Sequence, residues 1–197
     1  FRLDVGITNL NRPEIARYSI LGYTAFNGLF VAPHGKYFYT VHNTESYGIR
    51  QYLMTNRHEI QSDSYYKNFV PNQTSQFINA EAIYFKDDGK TVYILNRPGS
   101  NSFISEFSLS SPWEIDTASF VQVDSFGSFH PDVSGFYFKP DGTAVFVTDT
   151  THDYVRRYNM STAWDITTMS GVIDEYDATS IEATPRSLAF NNDGSKM

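Results

Sequence analysis

The sequence predicts an all-β fold, a β-propeller of four-stranded antiparallel blades, and three observations carry this prediction. A turn glycine recurs at nearly constant spacing, short apolar segments flank each turn, and a Trp recurs at a matched place later in the repeat. None of the segments has the periodicity of a helix. Four short strands in a repeat of about 53 residues form the unit of a propeller blade.

The recurring turn is the most regular feature of the repeat. Its glycines follow one another at intervals of 54, 53 and 52 residues and are Gly35, Gly89, Gly142 and Gly194. His34 precedes the first of them, and Asp precedes the other three. Asp-Gly between alternating apolar segments is a strong hairpin signal. We therefore expect these residues to shape a turn between the first two strands of each blade, and not to form a chemical site.

The second half of each repeat supplies two more strands. An aromatic residue follows each of the first three turn glycines by 16 to 18 residues, at Tyr52, Phe107 and Tyr158. An acidic residue and an Ile come next, preceded by Trp113 and Trp164 in two copies and by His58 in the first. A fourth apolar segment closes each copy. The repetition of the indoles predicts that they pack between strands three and four of a blade; the alternative is an exposed platform that stacks on sugars.

The repeat divides the chain into parts of a single propeller domain. A partial blade is predicted at 1–26, blades at 27–79, 80–133 and 134–185, and the start of another at 186–197. Because both ends fall within a repeat, we expect an incomplete portion of a larger propeller. The alternative is a four-bladed ring in which the N-terminal strands complete the last blade. A two-sheet sandwich also has regularly spaced strands, but it does not require matched residue types over three periods.

Composition limits the classes of function. The chain has no cysteine, which excludes disulfides, thiol catalysis and cysteine-based zinc sites. The net charge of −7 and the single adjacent basic pair, Arg156-Arg157, argue against a nucleic-acid partner. No apolar run approaches the roughly 18 residues of a membrane-spanning helix, so membrane insertion is not expected. The histidines lack metal-ligand spacing, and no nucleophile or phosphate-binding motif is present.

One family resemblance favours a non-enzymatic role. The segment FKPDGTAVFVTDTTHDYVRRYNMSTAWDITT resembles the propeller repeats of proteins encoded by bacteriophages and marine bacteria. The resemblance covers about residues 28–197 and is weakest around His58. It implies a structural or recognition module without a cofactor, in a phage virion as a tail or fibre-associated component, or on an extracellular surface, with the cytoplasm left open. A protein partner, a surface glycan or other virion subunits would contact the loops at 43–48, 97–102 and 150–153.

A looser resemblance favours an enzyme. The segment NGLFVAPHGKYFYTVHN is similar to a motif of gluconolactonase and regucalcin-type six-bladed propellers. In that family the motif Asn, with a Glu and an Asp from other blades, binds a divalent cation such as calcium in the central channel. The positions of this chain that match are Asn27, Glu81 and Asp149. The resemblance thus implies a metal-dependent lactone hydrolase, in which the cation polarises a carbonyl and activates water.

Four residues are expected at the mouth of the channel. They precede the turn glycines by eight residues and are Asn27, Glu81, Ser134 and Arg186. Arg186 would repel a cation there and Ser134 is a poor ligand, which departs from the family pattern. A structural interpretation competes with the metal site: Asn27 would be a turn or bulge residue before Gly28, and Glu81 would form a salt bridge with Arg186.

Overall fold

A computed structural model describes most of the repeat region. The described residues are 26–42, 48–54, 65–71, 77–99, 101–126, 132–191 and 194–197. Within these ranges the chain forms three four-stranded antiparallel sheets, in each of which the strands follow their order in the sequence. The all-β prediction is therefore confirmed. No helix in the described ranges has the length and apolar character needed to cross a membrane.

Each sheet is one blade of the predicted repeat. Blade 1 contains β1 (Gly28–Val31), β2 (Tyr37–Val41), β3 (Ile49–Leu53) and β4 (Tyr65–Phe69). Blade 2 contains β5 (Ala80–Phe85), β6 (Thr91–Asn96), β7 (Phe103–Leu109) and β8 (Ala118–Ser125). Blade 3 contains β9 (Val133–Phe138), β10 (Ala144–Asp149), β11 (Tyr154–Met160) and β12 (Met169–Asp177). Short 3-10 turns at Ile115–Thr117 and Ile166–Thr168 precede β8 and β12.

The repeated turn has the backbone that its sequence predicts. All four glycines have positive φ, of 70°, 67°, 72° and 70° for Gly35, Gly89, Gly142 and Gly194. The carboxylates of Asp88 and Asp141 accept hydrogen bonds from the backbone N–H two residues later, at 2.9 and 3.0 Å. The His34 imidazole accepts the same bond at 3.0 Å. A nitrogen acceptor therefore replaces the carboxylate in the first copy, and the turn keeps its form.

The blades stack through their innermost strands. β1 packs on β5, and β5 packs on β9. A Cβ atom added at Gly28 would lie 2.8 Å from the Cα atom of Ala82, and one added at Gly135 would lie 2.6 Å from the backbone oxygen of Arg186. Glycine is therefore needed where an inner strand comes closest to the backbone of the next repeat. Two large apolar clusters fill the spaces between blades 1 and 2 and between blades 2 and 3.

The ends of the chain extend beyond the three sheets. The predicted partial blade at 1–26 lies outside the described residues except for Phe26. The segment 186–191 follows blade 3 without forming a strand. Its Phe190 ring nevertheless packs on Tyr137 of β9 and Phe146 of β10, with ring centroids 5.2 and 4.7 Å apart. The segment therefore occupies the side of blade 3 on which a further inner strand would lie.

Candidate functional site

The four predicted channel-mouth residues line one cavity. Its volume is about 400 Å³, and its walls are the inner strands β1, β5 and β9 together with the segment after blade 3. Four of the polar side chains that line it come from matched positions of successive repeats and are those of Asn27, Glu81, Ser134 and Arg186. Asn27 precedes β1, Glu81 and Ser134 are the second residues of β5 and β9, and Arg186 begins the segment after blade 3, so the repeat itself brings them together.

Two of these side chains join neighbouring inner strands. The Asn27 side-chain amide donates a hydrogen bond to the backbone oxygen of Ala80 at 3.1 Å. The Ser134 hydroxyl donates to the backbone oxygen of Pro185 at 3.0 Å. Both acceptors immediately precede the matched position of the next repeat. Asn27 and Ser134 therefore bridge one repeat to the next at the channel mouth.

Glu81 cannot donate such a bond and has a different partner. Its Oε1 atom accepts hydrogen bonds from Arg97 Nε at 3.1 Å and from Arg97 Nη2 at 2.8 Å. Arg97 Nη1 also lies 3.9 Å from Asp132 Oδ1. These groups and Asn79 line a second cavity of about 360 Å³ beside the first. Glu81 therefore pairs with Arg97, which the sequence did not single out, and not with Arg186.

Arg186 is the cationic group of the channel mouth. Its side chain is exposed and lines the same cavity as Glu81. Among the described residues, none forms an ion pair or hydrogen bond with its guanidinium. Planar guanidinium groups bind carboxylates, phosphates and developing oxyanions through paired hydrogen bonds. Arg186 is therefore the group at this cavity best suited to hold an anionic or carbonyl-bearing ligand.

Asp149 lies away from the channel mouth, buried at the end of β10. Its Oδ2 atom accepts a hydrogen bond from Arg156 and lies 2.9 Å from His152 Nδ1, and its Oδ1 atom accepts one from the backbone of Thr151 at 2.9 Å. Burial opposes ionisation of Asp149, but the bonds from His152 and Thr151 and the charge of Arg156 outweigh it and lower the pKa. Arg156 also donates to Glu175 at 2.7 Å.

The position of Asp149 is a buried polar position in every blade. His42 and Asn96 stand at the matched places after β2 and at the end of β6, and both are fully buried. The Asn96 amide oxygen accepts a hydrogen bond from the backbone of Ile78 at 3.0 Å, and His42 Nε2 lies 3.2 Å from Thr40 Oγ1. The Asn96 bond holds the segment before β5, whereas the His42 contact is with β2 itself. Asp149 holds its own loop through Thr151 and His152.

The three residues matched to the cation-binding family do not fit a single cation in this arrangement. Asn27 and Glu81 line the channel cavity, and Asp149 is not on its walls. The Asp149 carboxylate is already paired with Arg156, and one Glu81 oxygen is paired with Arg97. A hard divalent cation needs several oxygens that converge on one point. Across the described part of the chain, no three His, Asp or Glu residues are grouped as metal ligands.

The two indoles lie between blades, over the turn glycine of their own blade. A Cβ atom added at Gly89 would lie 2.3 Å from the ring of Trp113, and one added at Gly142 would lie 2.3 Å from the ring of Trp164. Both indoles are half-buried. They pack on the hairpin of strands one and two, a different place from the predicted position between strands three and four. An indole covered in this way has little surface for a sugar.

Part of the predicted partner-binding loops lies outside the described residues, namely 43–47 and residue 100. The loop at 150–153 is described and carries His152, whose side chain is 46 % exposed. The sequence did not indicate Arg97 as a partner of Glu81 or Arg156 as a partner of Asp149. Their strand-end and mid-strand positions were visible, but only the register of the sheets brings them next to Glu81 and Asp149.

Comparison with known proteins supports the fold. No protein-family profile matches the sequence, and no curated protein matches it. Among solved structures, one assigned as a 6-phosphogluconolactonase from Bacteroides uniformis matches 86 % of this chain and 45 % of its own, with a TM-score of 0.57 and 13 % identity. The periplasmic gluconolactonase of Pseudomonas aeruginosa matches 76 % and 39 %, with a TM-score of 0.50 and 17 % identity.

A chain of the nidogen–laminin complex matches to a similar degree, over 86 % of this chain and 54 % of its own, with a TM-score of 0.52 and 14 % identity. The chain therefore spans about half or less of the length of these structures. At such identities the likeness concerns the fold alone. The sheets, their stacking and these neighbours agree: the chain folds as consecutive blades of a β-propeller.

Proposed function

We propose that the complete protein is a gluconolactonase-like hydrolase that binds a sugar lactone at the channel mouth. The observation that carries the proposal is the cavity in which the guanidinium of Arg186, unpaired among the described residues, stands with Asn27, Glu81 and Ser134. The names of two fold neighbours, a gluconolactonase and a 6-phosphogluconolactonase, support the substrate class. A hydroxylated lactone suits a cavity with an amide, a hydroxyl, a carboxylate and a cation on its walls.

The proposed chemistry uses a carboxylate and a guanidinium. Glu81, held by Arg97, accepts a proton from water as the water oxygen bonds to the lactone carbonyl carbon. Arg186 stabilises the oxyanion that develops on the carbonyl oxygen. The ring C–O bond then breaks, and the leaving oxygen takes the proton from Glu81 to give the open hydroxy acid. A bound divalent cation is a separate hypothesis, and no step here passes through one.

An assay of the complete purified protein with gluconolactone and 6-phosphogluconolactone tests this proposal. We expect turnover that Glu81→Gln lowers by about 10²–10⁴-fold, the usual contribution of a general base. Arg186→Ala should lower it by a similar factor. Lys90→Ala, in a turn away from the cavity, is the matched control and should keep full activity. Activity abolished by a chelator and restored by calcium would instead favour the cation hypothesis.

The second candidate is a non-enzymatic recognition module. It is favoured by the pairing of Glu81 with Arg97, which gives the carboxylate a structural role, and by the likeness to a chain of a two-protein complex. A phage virion component or an extracellular surface protein would be a finer form of this candidate. A folded protein that hydrolyses neither lactone would contradict the enzyme proposal and leave recognition of a protein or glycan as the better hypothesis.

A further inference from the structure

Glu81, the proposed general base, occupies a β-bulge. The pairing of β5 with β6 shifts by one residue between Ala80 and Ala82, so Glu81 is an extra residue on its strand. A bulge redirects a side chain and interrupts the ladder of backbone hydrogen bonds. The direction of the Glu81 carboxylate therefore depends on its side-chain contacts, which are the two hydrogen bonds from Arg97.

Arg97 is in turn held between two blades. Its backbone N–H donates to the backbone oxygen of Asn79 at 3.1 Å, which fixes the start of the loop after β6. Its guanidinium bonds to Glu81 of blade 2, and its Nη1 atom lies 3.9 Å from Oδ1 of Asp132, directly before β9 of blade 3. One cation therefore lies between the carboxylate of the proposed base and a second carboxylate from the next blade.

Asp132 is fixed by the loop between β10 and β11. The Thr151 hydroxyl donates to Asp132 Oδ2 at 2.6 Å. The Thr150 hydroxyl and N–H both donate to the backbone oxygen of Asp132, at 3.0 and 3.1 Å. The N–H of Thr151 donates to the buried Asp149 at 2.9 Å. A continuous series of contacts thus runs from Asp149, inside blade 3, to Glu81 at the channel mouth.

The repeat does not account for the charges in this series. Relative to the turn glycines, Arg97 corresponds to Thr150, and Asp132 corresponds to Asn79. In both blades the backbone N–H of the first position donates to the backbone oxygen of the second at 3.1 Å. Since Thr150 and Asn79 keep this bond with neutral side chains, the fold does not need the charges of Arg97 and Asp132.

We propose that Asp132 is a positioning residue of the hydrolase, which shares the charge of Arg97 and thereby keeps Glu81 aimed at the water and able to accept its proton. The inference rests on the function proposed above for Glu81. A guanidinium that faced Glu81 alone would favour the ionised carboxylate more strongly and make it a weaker proton acceptor. Asp132 offsets part of that charge, and the bond from Thr151 fixes the distance at which it does so.

Asp132 acts through Arg97 and not on the lactone. Asp132 lines the second cavity, whereas the lactone is proposed to bind in the first. A change at Asp132 should therefore alter the step in which Glu81 takes the proton and leave the binding of the lactone nearly unchanged. Steady-state kinetics separate these two effects, because the first appears in kcat and the second in KM.

Three variants of the complete purified protein, assayed with gluconolactone, test the proposal. Asp132→Asn removes the charge but keeps an oxygen that can accept from Thr151, and it should lower kcat about tenfold, a fraction of the contribution of a general base. Thr151→Val keeps the charge but removes the bond that fixes it, and it should lower kcat severalfold. KM should stay within about twofold in both. Asp132→Glu restores the charge and should recover most of the native kcat.

Thr143→Val is the matched control. The Thr143 hydroxyl also donates to an aspartate at 2.6 Å, but the acceptor is Asp141 in the turn at the opposite end of blade 3. This variant should keep the native kcat. A second readout needs no substrate: the NMR signal of the Arg97 Nε–H should shift in Asp132→Asn and in Thr151→Val and stay in place in Thr143→Val.

The outcomes separate this inference from the proposed function. If the native protein hydrolyses the lactone and Asp132→Asn keeps the native kcat, or loses activity through KM alone, the role of Asp132 is overturned and the hydrolase stands. An Arg97 signal that does not move in Thr151→Val would overturn the link from the loop to the base. A native protein that hydrolyses no lactone would overturn both proposals.

Discussion

The interface between blades 1 and 2 and the interface between blades 2 and 3 share one anchor and differ around it. In the first, the Tyr39 hydroxyl donates to the backbone oxygen of Trp113 at 2.6 Å. In the second, the Tyr93 hydroxyl donates to the backbone oxygen of Trp164 at 2.8 Å. Both Trp residues have left-handed φ, of 66° and 68°. The indole and its Tyr donor are thus the repeated element of blade association.

The polar side chains beside the anchor are not repeated. In the first interface, Lys67 donates to Glu114 at 2.6 Å and to Asp116 at 2.9 Å, and these bonds raise the pKa of Lys67. In the second, the neutral amide of Gln122 donates to Glu106 at 2.7 Å and to Asp165 at 3.1 Å. An ammonium between two carboxylates has been replaced by an amide between two carboxylates.

The consequence falls on Glu106. Burial raises its pKa, the hydrogen bond from Gln122 opposes this, and the nearby charge of Asp165 adds to it. In the first interface the residue at the matched position is neutral: Gln51 accepts a hydrogen bond from the backbone of Ile115 at 2.9 Å. The indole anchors therefore hold adjacent blades together, whereas the surrounding charges adjust how stable each interface is.

Removal of an anchor should have the largest effect. Trp113→Ala and Trp164→Ala should each lower the free energy of unfolding by about 3 kcal/mol, since each empties a space between two blades. The two losses should agree within about 1 kcal/mol because the anchors are equivalent. Urea unfolding measures both, with the exposed Ile173→Ala as a control that changes little. If the losses of unfolding free energy for Trp113→Ala and Trp164→Ala differed strongly, the two anchors would not be equivalent.

Removal of the Tyr donor should have a smaller effect. Tyr39→Phe and Tyr93→Phe should each cost about 1–2 kcal/mol, because a Trp carbonyl oxygen loses its donor. Each substitution introduces the residue type that blade 3 has at the matched position, Phe146. Tyr137→Phe, whose hydroxyl forms no hydrogen bond within the described residues, is the control. If Tyr93→Phe matched this control in thermal and urea unfolding, the hydrogen bond would not contribute to the second interface.

Neutralisation of Glu106 should stabilise the protein slightly. Because the pKa of Glu106 is raised in the folded state, its ionised form is disfavoured there, and the folded state loses relative stability as pH rises through that pKa. Glu106→Gln should therefore raise the free energy of unfolding at neutral pH by less than about 1 kcal/mol. The gain should disappear as pH falls below the pKa. Gln122→Met is the comparison variant, because it removes the amide donor and keeps the carboxylates of Glu106 and Asp165. Destabilisation by Glu106→Gln at neutral pH would contradict this account.

The bridge at Lys67 should matter least. Its side chain is 25 % exposed, and ion pairs of this kind contribute about 1 kcal/mol or less. Lys67→Met should therefore reduce stability by under about 1 kcal/mol at low salt and by less in about 1 M salt. A salt-independent loss above 2 kcal/mol, found by urea unfolding at both salt concentrations, would show that the charges of the first interface are more than an adjustment.

The sequence predicted the features that recur in every copy of the repeat. Equal spacing and Asp-Gly turns predicted the hairpins, and the matched residues Asn27, Glu81, Ser134 and Arg186 were expected at one end of the inner strands. The partners of individual side chains could not be read in this way. Glu81 meets Arg97 only because β5 and β6 pair in a particular register, with Ala80 opposite Asn96.

The indoles show the same limit. Their repetition predicted a place in the packing of the blades. The contact of Trp113 with Gly89, however, joins residues that β6 and β7 separate in the sequence. The signal available in the sequence was that Trp113 and Trp164 follow the turn glycines Gly89 and Gly142 by 24 and 22 residues. The channel chemistry was least accessible, because Asp149 matched a family position and yet points into its own blade, towards Arg156.

A double-mutant cycle between Gly142 and Trp164 tests the anchor most directly. Gly142→Ala places a methyl group where the indole lies, and it also adds the cost of an L residue at a φ of 72°. We predict that it is destabilising in the native background and that at least about 1 kcal/mol of this loss disappears when Trp164 is already Ala. If the two substitutions added within about 0.5 kcal/mol, the indole would not rest on the turn glycine and the shared anchor would be refuted.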